Sequence, residues 1–167
     1  MTDDGPQQCG DFPMRIARDG TWYYHGTPIP RARMVSLFAT ALTRDDAGDY
    51  WLVTPGETMR IQVEDAPFLA VDLDAEGEGP AQRLTFRTNV DDTVPLDNDH
   101  PLRIETDAAT GEPSPYVLVR PGLEARLVRS VFYSLMELGT VDSTAAGEVF
   151  GVWSNNRFFP IMQWSEA

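Results

Sequence analysis

At 167 residues the chain is the size of one ordinary domain or of two small halves sharing a core. Burial at that length, roughly 68 to 70% of the unfolded surface, makes a stabilising metal or disulfide unnecessary. Against 26 Asp plus Glu there are 13 basic residues, all of them Arg, so the formal charge of −13 repels DNA, RNA and anionic membrane surfaces.

No nucleic-acid polymer and no membrane is therefore expected as a partner. The lone Cys9 cannot close an internal disulfide, which suits a reducing compartment. No apolar run approaches the ~18 residues of a membrane span, and no basic-then-apolar leader opens the chain. A cytoplasmic protein is expected.

Residues 1–13 read as a poorly ordered tail of Gly, Pro, Gln and Asp. Met14–Ala17 and Trp22–Tyr24 flank Arg18-Asp19-Gly20-Thr21, and Asp-Gly is a strong hairpin signal. From Arg31 to Leu42 the apolar residues Met34, Leu37, Phe38 and Ala41 recur at helical spacing, with Pro30 suited to the first turn. Strands follow at Tyr50–Val53, Met59–Val63 and Phe68–Leu73, and the Gly- and Glu-rich stretch Ala75–Pro80 is the expected boundary between halves.

The second half continues with strands at Arg83–Thr88, Thr93–Leu96, Leu102–Thr106, Tyr116–Val119 and Glu124–Val128. Val128, Val131, Phe132 and Leu135 then mark a helix over Arg129–Leu138, stopped by Gly139. Phe150–Trp153 and Phe158–Met162 around Asn155-Asn156 read as a last hairpin.

Twelve residues from Tyr50 to Ile61 return, ungapped, from Tyr116 to Leu127, and Tyr, Leu, Val, Pro, Gly and Arg are identical in both. Average composition would give roughly one chance match. Each copy reads as strand, Pro-Gly turn, strand. The fold class expected is α+β: two related β-rich halves from an internal duplication, 14–79 and 80–167, each with one amphipathic helix.

Candidate chemistry is sparse. Arg31 and Arg33 fall in the expected first helical turn, where the macrodipole disfavours cations; backbone N–H groups and guanidinium groups together would suit an anion, and pairing with carboxylates is the plainer alternative. Thr54 and Arg120 precede the two Pro-Gly turns and differ between the copies, where a duplicated scaffold would specialise. Glu57, Glu64 and Asp65 supply carboxylates near two corners, and acid/base work needs two of them in one cleft. Asp91-Asp92 and Asp97-Asn98-Asp99 lack the spacing of a calcium loop, and His25 and His100 belong to no zinc pattern. No metal, cofactor or catalytic residue is expected from the motifs.

Trp22-Tyr23-Tyr24-His25-Gly26-Thr27-Pro28-Ile29-Pro30-Arg31, Leu52–Glu57, Val63–Phe68, Thr88–Asp92, Asp99-His100-Pro101-Leu102 and Tyr116–Ala125 together resemble an uncharacterised bacterial domain-of-unknown-function family, in order, from about Asp19 to Leu138. The resemblance implies a duplicated core, a C-terminal half like a pleckstrin-homology fold, and a cleft between the halves taking a nucleotide-like ligand in signal transduction. Arg31, Thr54, Glu57, Asp65, Thr88, Asn89, His100 and Arg120 are the ligand-binding candidates.

The leading expectation is thus a noncatalytic cytoplasmic ligand-binding or regulatory protein whose partner is a small anionic molecule. One alternative is a protein–protein interaction module using a sheet edge or the apolar face around Trp153 and Phe158. The other is a hydrolase or isomerase using Glu57, Asp65 and His100.

Overall fold

The structure is a computed structural model that describes residues 13–56, 58–145 and 147–164. Of the expected tail only Pro13 falls among them. The chain divides into two compact units: the first runs to Phe68 and takes in Pro121–Leu123, and the second holds Leu69–Arg120 and the chain from Glu124 onward. Both are β-rich and each carries one helix.

The first unit is a six-stranded sheet in the order β3-β2-β1-β6-β5-β4. Its strands are β1 (Met14–Ile16), β2 (Trp22–Tyr24), β3 (Thr27–Pro28), β4 (Leu42–Arg44), β5 (Tyr50–Val53) and β6 (Thr58–Val63), with α1 (Ala32–Thr40) between β3 and β4. The expected β1–β2 hairpin forms: Gly20 takes φ +90° and Asp19 accepts the Thr21 N–H at 3.0 Å. A second hairpin, not expected, joins β2 to β3 because His25 and Gly26 both adopt positive φ, the requirement of a two-residue primed turn.

Helix α1 is shorter than its stripe of apolar residues. Its last turn closes at Ala41, and Leu42–Arg44 leave it to pair with β5, Leu42 opposite Leu52. Asp45 then gathers the turn between β4 and β5, accepting the N–H groups of Ala47 and Asp49 and the Trp51 indole N–H at 3.0, 2.9 and 2.8 Å. Arg60 of β6 pairs with Asp49 at 2.8 Å. The sheet is joined in its middle by a parallel pairing of β1 with β6, Arg15 opposite Gln62 and Ile16 opposite Val63. That junction brings Met14, Leu52 and Met59 onto neighbouring strands of one sheet.

The second unit carries another six-stranded sheet, β10-β11-β12-β7-β8-β9, and a three-stranded one, β13-β14-β15. The first comprises β7 (Phe68–Glu76), β8 (Arg83–Thr88), β9 (Thr93–Pro95), β10 (Leu102–Thr106), β11 (Pro113–Arg120) and β12 (Leu123–Leu127). The Gly- and Glu-rich connector serves as the β7–β8 turn, with a single 3-10 turn at Gly79–Ala81. Arg103 on β10 ties three strands together: it reaches Glu124 through two bonds of 2.8 and 2.9 Å and Glu105 through one of 2.7 Å, and lies over the Tyr116 ring.

Helix α2 (Arg129–Glu137) buries Val131, Phe132 and Leu135, as its spacing predicts. After it come β13 (Thr140–Thr144), β14 (Gly147–Ser154) and β15 (Arg157–Gln163). The β14–β15 turn holds Asn155 and Asn156 at φ +52° and +64°. It is anchored by backbone N–H bonds from Asn155 to the Gln82 carbonyl and from Asn156 to the Pro80 carbonyl, both 2.8 Å. The buried Ser154 hydroxyl accepts the Leu84 N–H at 3.1 Å.

The two copies of the sequence repeat are both neighbouring strand pairs, β5–β6 and β11–β12. Helix α1 precedes the first pair and α2 follows the second.

Candidate functional site

The first unit carries an apolar pocket of about 440 Å³ beside α1. Met14 and Leu52, each 3% exposed, make its floor. Ile29, Phe38, Thr54 and Met59, all half-buried, form the sides, and Tyr24, Thr27, Pro28, Pro30 and Met34 form the exposed rim. Helix α1 therefore turns Met34 and Phe38 toward a space, not into a filled core. Ala39 is its one buried residue, and Leu37, 67% exposed, continues the apolar stripe into solvent.

The wall offers two threonine hydroxyls and the Tyr24 phenol as polar groups, and no carboxylate, imidazole, thiol or guanidinium among the described residues. Its volume falls within the range of small-molecule sites, and apolar walls with a few polar groups are their usual chemistry. Such a surface can hold a molecule; among the described residues its wall presents no paired acid and base.

Of the residues singled out from sequence, Thr54 lies in the pocket wall and Arg31 beside its rim. Arg31 is the exposed N-cap of α1, directly after Pro30, with no side-chain cap bond and no acidic residue in the first turn. Glu57 lies outside the described residues. Asp65 is not in the wall and pairs with Arg18 at 3.4 Å.

Thr88, Asn89, His100 and Arg120 belong to the second unit. Thr88 is fully buried, and its hydroxyl accepts the N–H groups of Val90 and Asp92 at 3.3 and 3.1 Å, closing the β8–β9 turn. Asn89 accepts the Leu69 N–H at 3.0 Å and returns its own N–H to the Leu69 carbonyl at 2.9 Å. His100 holds Asp97 at 2.8 Å through Nδ1, while Asp97 also accepts the N–H groups of Asp99 and His100. Arg120 is half-buried at the end of β11.

The apolar face expected around Trp153 and Phe158 lies on the three-stranded sheet. Trp153 sits opposite Phe158 with ring centroids 5.4 Å apart, and Val141, Phe150 and Met162 form a second cross-strand row flanked by Trp164. Val149, Val152, Phe159 and Ile161 are the buried apolar side chains of these strands.

Sequence reading missed most of the pocket. Met14, Leu52 and Met59 belong to short strands whose alternation shows only that one side leaves water. The one available signal was methionine use: three of the six methionines line this pocket.

Two β-rich units, each with one helix, make this a two-domain protein whose first unit carries an apolar pocket. The chain belongs to the DUF1285 family, matching its N-terminal domain of unknown function over residues 3–66 and its C-terminal domain over 67–161. A DUF1285 family protein from Silicibacter pomeroyi DSS-3 is similar at 50% identity and a TM-score of 0.83, over 92% of this chain and 81% of that one. A second, from Shewanella baltica OS155, is 28% identical with a TM-score of 0.60, over 77% of this chain and 94% of that one. No functionally curated protein matches the chain. No helix among the described residues is long and apolar enough to cross a membrane.

Proposed function

We propose that this is a noncatalytic ligand-binding protein of the cytoplasm, with a regulatory role in signalling, whose first unit takes a small molecule into the pocket beside α1. The observation that carries the reading is the composition of the wall: a site-sized cavity with apolar sides, two threonine hydroxyls, the Tyr24 phenol and, among the described residues, no acid–base pair. Arg31 beside the rim supports an anionic group on the ligand. The duplication and the pleckstrin-homology likeness of the C-terminal half belong to the same reading, and the neighbouring strand pairs that the repeat forms, β5–β6 and β11–β12, support the first of them.

A thermal-shift screen of the full chain against nucleotides, organic acids, aromatic compounds and aliphatic amphiphiles tests it. A ligand at ~100 times its Kd stabilises by ~2.7 kcal/mol. At least one class is expected to do so, and a flat response across all of them overturns the proposal.

A second reading, a protein-interaction module, is favoured by the two aromatic rows of the three-stranded sheet, where Met162 and Trp164 stay exposed. A photoreactive residue in place of Met162 would give a discrete cross-linked adduct in cells; an unmodified chain would set the reading aside.

A further inference from the structure

Met14, Met34 and Met59 come from three elements, β1, α1 and β6, and meet on the wall of one cavity. Thioether side chains are unbranched and polarizable, so they re-pack around an occupant of variable shape and do not define one rigid outline. The same wall carries three polar side-chain groups, the Thr27 and Thr54 hydroxyls and the Tyr24 phenol. A nucleobase brings several ring and exocyclic polar atoms, and each one buried without a partner weakens binding. An alkyl chain brings none.

The cavity also grades from dry to wet. Its floor, Met14 and Leu52, is buried; Met34 at the rim is 41% exposed; and Leu37 continues the apolar surface outward along α1. An occupant of this shape enters apolar end first and leaves its polar end in water. At about 440 Å³ the cavity lies within the size range of small-molecule sites, room enough for a medium-length alkyl chain. Resting on the ligand-binding reading above, we infer that the pocket takes the single aliphatic chain of a medium-length amphiphile, its head group held in solvent at the rim.

Straight-chain carboxylates and alcohols, lengthened two carbons at a time and kept below micelle formation, test this on the full chain labelled at the methionine methyl carbons. Each added methylene should tighten binding about fourfold, equivalent to ~0.8 kcal/mol, until the cavity is full and affinity levels off. The methyl signals of Met14, Met34 and Met59 should move, while those of Met136 and Met162 stay. Met34→Trp, at the exposed rim, should cost at least about tenfold in affinity and leave the free protein's Tm unchanged, because an exposed side chain is replaced.

Affinity independent of chain length, or shifts confined to Met136 and Met162, overturns the inference. If nucleotides, ring compounds or apolar peptides move the three pocket methyls and alkyl chains do not, the aliphatic assignment fails while the ligand-binding reading stands. Silence of all three methyls toward every class defeats both.

Discussion

Asp45 collects three N–H donors on one carboxylate, and the Trp51 indole N–H, ahead of the Asp49 amide, holds its pKa below the ordinary 3.8. Asp19 and Asp107 are lowered in the same direction, Asp19 chiefly by the Thr21 amide and Asp107 by the amides of Ala109 and then Thr110. A folded-state pKa below the unfolded value gives stability that is present above the unfolded value and is lost as pH falls through the folded one. Asp45→Asn should therefore lower Tm at pH 7, and the difference from the parent should shrink below about pH 4, as a Tm series against pH would show. Thr88 makes a related case inside the protein. Thr88→Val strands the amides of Val90 and Asp92 in a buried turn and should cost about 1–3 kcal/mol in urea unfolding, with Thr88→Ser recovering most of it. Thr88, Asn89 and His100 stand out in sequence as polar residues at turns; the loop backbone uses the first two, and the His100 ring holds the Asp97 carboxylate that accepts two loop amides. An N–H that has left a sheet still requires an acceptor.

The two helices have nine residues each and the same apolar spacing, yet they do different work. Helix α2 drives Val131, Phe132 and Leu135 into packed surroundings, whereas α1 buries only Ala39 and lends Met34 and Phe38 to a cavity wall. Leu135→Ala should cost about 2–5 kcal/mol, as removal of a fully buried side chain does. Leu37→Gln should stay within about 0.5 kcal/mol, since the side chain stands in solvent. Chemical denaturation of both variants checks the contrast. Comparable losses would mean that this face of α1 is packed as that of α2 is.

At the scale of the whole chain the excess of carboxylates sets the behaviour in acid. The net charge of −13 at pH 7 vanishes near the pI of 4.4, and with it the self-repulsion that keeps copies apart. Asp19, Asp45 and Asp107 titrate below their ordinary range, so the turns they hold outlast the loss of net charge. Light scattering should thus rise as pH approaches about 4.4 while circular dichroism keeps its native shape, and unfolding should follow only at lower pH. Unfolding that precedes association would contradict this order. The same charge opposes polyanions, and the full chain should show no shift of duplex DNA at moderate salt.

Asp19-Gly20, Pro121-Gly122 and Asn155-Asn156 announce their hairpins because a reversal of the chain needs particular backbone angles, which few residues adopt. Helix positions follow from spacing in the same way, and so do the acidic field and the absence of a disulfide within the chain. The short strands β3, β4 and β13, and the parallel joining of β1 to β6, escaped sequence reading because pairing is a relation between distant segments. The pocket belongs with them. Apolar periodicity records that a side chain turns away from water, and it reads alike for Phe38 and Leu135; whether a neighbour fills the space beside it or leaves it open is decided only when β1, β5, β6 and α1 take their places around Met14 and Leu52.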